Sequence, residues 1–321
     1  MIVSLLALLV VVVLLFLAVG PLEALGWWRA EGADEAVTTL AEIRAAHESV
    51  PEPVPYSHYV VYLSGIGAID GTSIPEEEQP LIEHLRGHLP GFAVLNDVFP
   101  YAPDNRGLTA ARPMARMWSW IEKARFANPE ALVAMLVNAR NAIQLFVCAD
   151  RRYGPTYNIG TAQAILHSLF RAGYQLGSDV PVTLVGWSGG GQIALGASWY
   201  LGRAGIPLTV VSLGGMLSDD YGIDELQHLW HFRGSNDGLE KLGGVLFAGR
   251  WPGAVGSPWS RGLKEGRISV YELGPMQHNV TRHYFDTKTF APDGRSYLEV
   301  SAEAIEAVLL GTEPKVIPVE K

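Results

Sequence analysis

One stretch, residues 182–196, constrains the fold more than any other part of the chain. It opens with Val-Thr-Leu-Val (182–185), a continuous apolar and β-branched run that is typical of a strand buried on both faces of a parallel sheet. The run ends in Gly-Trp-Ser-Gly-Gly-Gly (186–191) and continues with helical character. The stretch therefore predicts a buried strand, a sharp glycine-rich turn at Ser188 and a helix.

Ser188 has glycine at both second-neighbour positions, which gives the pattern G-x-S-x-G of a nucleophile elbow. A backbone that turns sharply enough to lift a serine oxygen clear of a sheet leaves no room for side chains at Gly186 and Gly190. The amide groups at the start of the following helix then favour negative charge beside that oxygen. The alternative is a serine that caps the helix. Glycine would cap almost as well, so capping does not explain the serine.

Composition and charge narrow the class of protein. The 321 residues fit one large α/β domain with appendages. A net charge of −9 without a basic stripe argues against a nucleic-acid partner. Cys148 is the single cysteine, so the chain has neither an internal disulfide nor a cysteine-based metal cluster. No group of histidines and carboxylates shows metal-ligand spacing, and we therefore expect no metal and no other cofactor.

The N-terminus predicts a membrane anchor. From Ile2 to Val19 the sequence is apolar except for Ser4, and as a helix it would just span a hydrocarbon core of about 30 Å. A cleaved signal peptide, which would make the protein secreted, is the alternative. The positively charged n-region of a signal peptide is missing. In addition, Pro21 directly follows Ala-Val-Gly (18–20), the small-residue triplet where a signal would be cleaved. We predict a single-pass anchor over residues 1–28, with Trp-Trp-Arg (27–29) at the membrane interface and the side of the globular domain undetermined.

The rest of the chain divides into a linker, one domain and a tail. Residues 29–56 predict a stalk helix and a proline-rich spacer, residues 57–312 the globular domain, and residues 313–321 a loose tail. Within the domain, strand-like runs alternate with helical runs, and glycine-rich or polar loops follow the strands. This alternation predicts an α/β fold, a mostly parallel sheet with helices on both faces.

Two segments depart from this alternation. Residues 108–149 contain two helix-like pieces, about 113–126 and 129–146, which predict a helical cap or lid inserted at about 106–150. Its methionines and tryptophans suit either an acyl pocket or ordinary core packing. Residues 243–262 are rich in glycine, tryptophan and proline without clear periodicity, and they predict a loop.

Three loops that follow strands carry a resemblance to the α/β-hydrolase family, over roughly residues 57–310. Ser188, Asp237 and His278 occur in the family's order of nucleophile, acid and histidine. The resemblance implies that Ser188 attacks a carbonyl carbon, that His278 accepts its proton and that Asp237 orients the imidazole. The alternatives are Asp219 or Asp220 as the acid and His283 as the base.

The same resemblance implies an oxyanion hole made of backbone amides. The N–H of Gly189, directly after the nucleophile, is the first expected donor. The second comes from Ser64-Gly65-Ile66-Gly67, which takes the place of the family's His-Gly-x-Gly run and departs from it at Ser64. We expect the N–H of Ile66 to be this donor, with Gly65 as the second choice.

These features predict a membrane-anchored serine hydrolase that cleaves a carboxylic ester through an acyl-enzyme. The substrate would be a small-molecule or lipid-like acyl compound, and the sequence names no protein partner. A fold does not select a substrate, so an acyltransferase or a peptidase using the same three side chains stays open. The other alternative is a membrane-tethered binding protein with a hydrolase fold and no activity.

Overall fold

A computed structural model describes residues 21–48, 54–71, 74–110, 116, 119–120, 123, 134–315 and 317–318. It shows an α/β fold in which six parallel strands form one sheet, and a two-residue strand extends the sheet in antiparallel direction. The strand order is β2-β1-β3-β4-β5-β6-β7. The strands are β1 (His58–Leu63), β2 (Phe92–Leu95), β3 (Val182–Trp187), β4 (Leu208–Leu213), β5 (His228–Arg233), β6 (Ile268–Glu272) and β7 (Ile317–Pro318). The predicted mostly parallel sheet is confirmed.

Helices connect the strands. They are α1 (Ala33–Glu48), α2 (Gln79–His88), α3 (Ala134–Ala149), α4 (Gly154–Arg171), α5 (Gly189–Arg203), α6 (Gly238–Leu246), α7 (Pro258–Lys264) and α8 (Tyr297–Leu309). The prediction of a loop over residues 243–262 is wrong at both ends, because α6 continues to Leu246 and α7 begins at Pro258. Both helices are short and begin at polar caps, Asp237 and Ser257, so neither is long enough to show a helical period.

Strand β1 shows why the apolar runs are continuous. Tyr59, Val61 and Leu63 belong to the hydrophobic cluster that includes α4 and α5. Val60 and Tyr62 point to the opposite face, where they join the cluster that includes α2 and α8. Successive side chains of a strand alternate between faces, so a strand covered on both sides needs apolar residues at every position. The predicted placement of helices on both faces is confirmed.

Successive strands are added to the sheet in opposite directions on the two sides of the β1–β3 pair. The chain passes from β1 outward to β2 at one edge, and later from β3 outward through β4, β5 and β6. In the parallel pair β1–β3, Leu63 lies opposite Gly186, so the loops that leave these strands start side by side. A crevice at the carboxyl ends of strands that diverge in this way is the usual ligand site of an open α/β sheet.

The segment before β1 packs against the domain. Residues 21–48 are helical, with a π-helical turn at Trp28–Gly32. Trp27 is only 7% exposed and lies against Gly160 of α4, and the Glu23 carboxylate binds Arg140 of α3 at 2.6 Å. Trp27 therefore covers the domain, whereas the sequence placed it at a membrane interface. The helix of the expected stalk is docked, because Ile43 and Ala46 pack against the hydrophobic cluster that includes α4.

Several expectations lie outside the described residues. They are the membrane segment within residues 1–20, the prolines at 51 and 53, and most of the helix-like piece at 113–126. Among the helices of the described part, none has the length and apolar composition needed to cross a bilayer. The second half of the expected insertion is α3, and it belongs to the domain core, with Val137, Ile143 and Val147 buried beside Tyr101.

Candidate active site

Ser188 occupies a strained turn between β3 and α5. Its backbone has φ 51° and ψ −118°, a conformation that residues with a side chain rarely adopt. Its hydroxyl makes no capping hydrogen bond to the first turn of α5, which the structure describes in full. The capping alternative is therefore wrong, and the oxygen is left for another partner.

The two flanking glycines make this turn possible. A Cβ on Gly186 would lie 2.5 Å from the Cα of Gly191, and one on Gly190 would lie 2.2 Å from the carbonyl oxygen of Leu63. Both distances are too short for any side chain. The prediction that the turn leaves no room at these positions is confirmed, and the close approach also holds the start of α5 against the end of β1.

The structure brings Ser188, His278 and Asp237 together, each from a loop that follows a strand. The Oγ of Ser188 lies 2.8 Å from the Nε2 of His278, and the Nδ1 of His278 lies 2.8 Å from the Oδ2 of Asp237. A carboxylate beside Nδ1 keeps the imidazole proton on that nitrogen. The lone pair of Nε2 is then free to accept the serine proton.

Asp237 is fully buried and accepts hydrogen bonds with both oxygens. Its Oδ1 accepts from the N–H groups of Leu239 and Glu240, each at 3.0 Å, which caps α6. Its Oδ2 accepts from His278 and from the hydroxyl of Tyr284 at 2.8 Å. Burial opposes ionisation, but the hydrogen bonds from His278, the Glu240 N–H and Tyr284 outweigh it and lower the pKa of Asp237. The group is therefore held as a carboxylate.

Two aromatic residues that the sequence analysis did not select position this pair. Tyr284 accepts from the N–H of Gly234 at 2.6 Å while it donates to Asp237. Burial, together with the Asp237 carboxylate, raises the pKa of Tyr284 well above its usual value, so it stays a donor. The ring of Trp187 stacks on the His278 imidazole with centroids 4.6 Å apart and 19° between planes. Trp187 therefore fixes the plane of the base that Asp237 orients.

The two residues expected to supply the oxyanion donors, Gly189 and Ile66, lie beside each other. A Cβ on Gly189 would lie 3.0 Å from the Cγ2 of Ile66, so the two loops are in contact. Neither N–H has a hydrogen-bond partner in the described part of the chain. The N–H of Gly65, the second choice of donor, donates to the Glu78 carboxylate at 3.2 Å.

Glu78 holds the loop that carries Ile66. It is 1% exposed, and it accepts from the Tyr62 hydroxyl at 2.8 Å as well as from Gly65. From the other side, the amide of Asn141 donates to the carbonyl oxygens of Ile66 and Ala68, each at 2.8 Å. Hydrogen bonds on both sides of Ile66 therefore hold its loop in one position.

The alternative acids and the alternative base lie in other environments. Asp219 pairs with Arg151 at 2.8 Å. Asp220 caps the 3₁₀ helix Tyr221–Glu225 through the Gly222 N–H at 2.8 Å. His283 accepts from the N–H of Phe285 at 3.3 Å. The structure does not bring any of these three side chains to Ser188 or His278.

No protein-family model matches the chain, and a search of curated proteins found no match either. The described residues define an α/β fold in which hydrogen bonds join a serine, a histidine and an aspartate from three loops that follow strands.

The strained backbone at Ser188 gives a prediction about stability. Ser188→Gly relieves the strain and Ser188→Ala does not, so we expect the glycine variant to unfold with a free energy about 1 kcal/mol higher than the alanine variant. Urea denaturation of the two variants measures the difference. Inside α5, at Ser198, the same pair of substitutions should give the opposite order, because glycine weakens a helix interior. Equal stability of the two Ser188 variants would contradict a strained turn.

Proposed function

We propose that the chain is a serine hydrolase of the α/β-hydrolase type, which cleaves a carboxylic ester through an acyl-enzyme. The observation that carries the proposal is the unbroken path from the Ser188 hydroxyl through His278 to Asp237, with 2.8 Å at each step. A serine hydroxyl is a weak nucleophile on its own, and an oriented neutral imidazole is the group that activates it. The strained turn at Ser188 supports the same role.

Each step of the proposed reaction uses a group already in position. The Oγ of Ser188 attacks the ester carbonyl carbon while its proton passes to the Nε2 of His278, and the Asp237 carboxylate stabilises the imidazolium. The amides of Gly189 and Ile66 donate to the oxyanion of the tetrahedral intermediate. His278 then returns the proton to the leaving alkoxide, and an alcohol departs. Water attacks the acyl-enzyme in the same way and releases the carboxylic acid.

Apolar surroundings favour a substrate with an apolar acyl group. Ile66 and Leu145 lie against Gly189, with the Leu145 Cδ1 only 3.1 Å from the place of a Cβ on that glycine. Helix α6, which begins directly after Asp237, exposes Leu242, Val245 and Leu246 at 41%, 63% and 53%. Exposed apolar surface of this kind next to a site is suited to a lipid-like ligand.

We propose in addition that the apolar segment from Ile2 to Val19 anchors the enzyme in a membrane. The helical segment that the structure describes from residue 21 onward contacts the loop that carries Ile66 through α3. Glu23 binds Arg140, and the guanidinium of Arg140 also donates to the Tyr101 carbonyl oxygen. The next residue of α3, Asn141, holds the Ile66 loop. An anchor would therefore keep the catalytic loops close to the bilayer from which a lipid-like substrate comes.

An activity-based probe tests the proposed nucleophile. A fluorophosphonate should label the folded full-length protein at Ser188. Labelling should be lost in Ser188→Ala and strongly reduced in His278→Ala, because only an activated oxygen displaces fluoride from phosphorus. In-gel fluorescence and peptide mass spectrometry measure the label. His283→Ala is the matched control and should label normally. Folded wild-type protein that takes no label would favour the binding-protein alternative.

Ester turnover tests the acid. Asp237→Asn should lower kcat roughly 10⁴-fold, because an amide favours the wrong imidazole tautomer. The amide oxygen can still cap α6, so circular dichroism should show a folded protein on which kcat is measured. Asp219→Asn is the control for loss of one carboxylate and should keep nearly full turnover. If Asp219→Asn loses turnover and Asp237→Asn keeps it, the assignment of the acid is wrong.

Membrane attachment is tested with charges in the apolar segment. Arginine at a helix centre costs about 2.5–3.5 kcal/mol per residue on insertion. The double variant Val11→Arg/Val12→Arg should therefore move the protein out of the membrane fraction that resists an alkaline carbonate wash. Val37→Arg, at a position of α1 that is 68% exposed, should leave the distribution unchanged. Release of the wild-type protein by the same wash would contradict the anchor.

A further inference from the structure

A cluster of two histidines and a glutamate lies between α2 and α8, and its residues take no part in the Ser188 site. His84 and His88 are one turn apart on α2, and Glu306 belongs to α8. One ligand atom from each of the three side chains lies within 4.8 Å of the other two. The Nε2 of His84 is 3.1 Å from the Oε2 of Glu306.

The hydrogen bond that His88 makes within α2 leaves one of its ring nitrogens available for a cation, whereas a cation would replace the proton between His84 and Glu306. The Nδ1 of His88 lies 2.9 Å from the carbonyl oxygen of His84, and a nitrogen in that position must donate. The lone pair of His88 is therefore on Nε2. A backbone carbonyl that fixes the tautomer in this way is the usual second contact of a histidine that binds a metal. The two imidazole rings stack with centroids 4.0 Å apart, which orders both along one side of the helix.

We propose that His84, His88 and Glu306 bind one divalent transition-metal ion, with zinc the best match. Two imidazole nitrogens and one carboxylate oxygen form a familiar three-ligand zinc set that leaves a fourth position for water. Bond lengths of 2.0–2.2 Å in a tetrahedral site place neighbouring ligand atoms about 3.3 Å apart. The His84–Glu306 pair already has this spacing. The nitrogen of His88 lies within 4.8 Å of the other two ligand atoms, and its exposed ring is able to move closer.

The surroundings leave space for the ion, and two cationic side chains, Arg295 and Lys315, line the same pocket. The three side chains border an open pocket of ≈ 370 Å³, which gives room for a water ligand. Arg295 lines the same pocket, but its guanidinium is paired with Asp293 and Glu303, each at 2.6 Å. The Glu306 carboxylate thus remains directed at the histidines.

The sequence analysis expected no metal, and this cluster shows what it missed. His84 and His88 have the i, i+4 spacing of two ligands on one helix face, but a pair of histidines alone does not indicate a site. The third ligand lies 222 positions further along the chain from His84. Only the packing of α8 beside α2 supplies it. A metal bound here would join the two helices that cover one face of the sheet.

Metal titration of the full-length protein, purified without a histidine tag and stripped with chelator, tests the proposal. We expect one Zn²⁺ per chain, measured by competition with a chromophoric chelator, and a rise in the midpoint of thermal unfolding. Co²⁺ should give the strong visible absorption of a four-coordinate ion. His88→Ala should weaken Zn²⁺ binding at least about tenfold, because loss of even a supporting contact costs that much. His88 is exposed, so this variant should fold normally.

Three further variants separate the cluster from adventitious binding. Glu306→Gln exchanges a charged ligand for a neutral one and should also weaken binding. Glu83→Gln removes the same charge from an exposed neighbour of His84, and His167→Ala removes an exposed histidine of α4. Both should bind Zn²⁺ like the wild type. The proposal is overturned if no ion binds at one per chain, or if His88→Ala binds as tightly as Glu83→Gln.

Discussion

The close approach of the start of α5 to the end of β1 is the constraint on which the site depends. Gly190 lies so near the Leu63 carbonyl oxygen that the backbone before it must turn within one residue, and Ser188 takes that turn at φ 51°. The strain is maintained by packing on both sides, and its energy comes from the surrounding core. A serine on a relaxed turn could cap the helix. Here it projects toward an imidazole.

The arrangement of Ser188 and His278 also depends on the buried carboxylate of Asp237. The hydrogen bonds around this carboxylate explain why it stays charged inside the protein. Asp237 receives four hydrogen bonds, from two backbone amides, His278 and Tyr284. A carboxylate left without such donors inside a protein would take up a proton. The same bonds position the carboxylate. The Leu239 and Glu240 N–H groups hold Oδ1, and the Tyr284 hydroxyl holds Oδ2 beside His278. Stability of the charge and orientation of the base therefore have one cause.

The parts of this architecture that the sequence predicted are local. The run before Ser188 predicted a strand, the glycines predicted the tight turn, and the alternation of strands and helices predicted a parallel sheet. The geometry also joins Ser188, Asp237 and His278, which the order of three loops had indicated. Short helices such as α7 were not predicted, because seven residues are too few to show a helical period.

Contacts between distant residues could not be predicted in this way. The sequence suggested the N–H of Gly65 as an oxyanion donor, but this N–H donates to Glu78. Nothing in the spacing of the two residues indicates that bond. Tyr284 follows His278 by six positions, in a loop whose course only the folded chain defines. The docking of residues 21–48 includes the bond between Glu23 and Arg140, which are 117 positions apart in the chain.

The bond between Glu23 and Arg140 has a mechanical consequence. Force applied along the N-terminal helix, such as lateral pressure or bilayer curvature would exert on an embedded segment, reaches α3 at Arg140. The adjacent Asn141 donates to the carbonyl oxygen of Ile66, so a displacement of the N-terminal helix would reach the loop beside Ser188 through two side chains. With the membrane anchor proposed above, this connection would couple the position of the embedded segment to the shape of the proposed site.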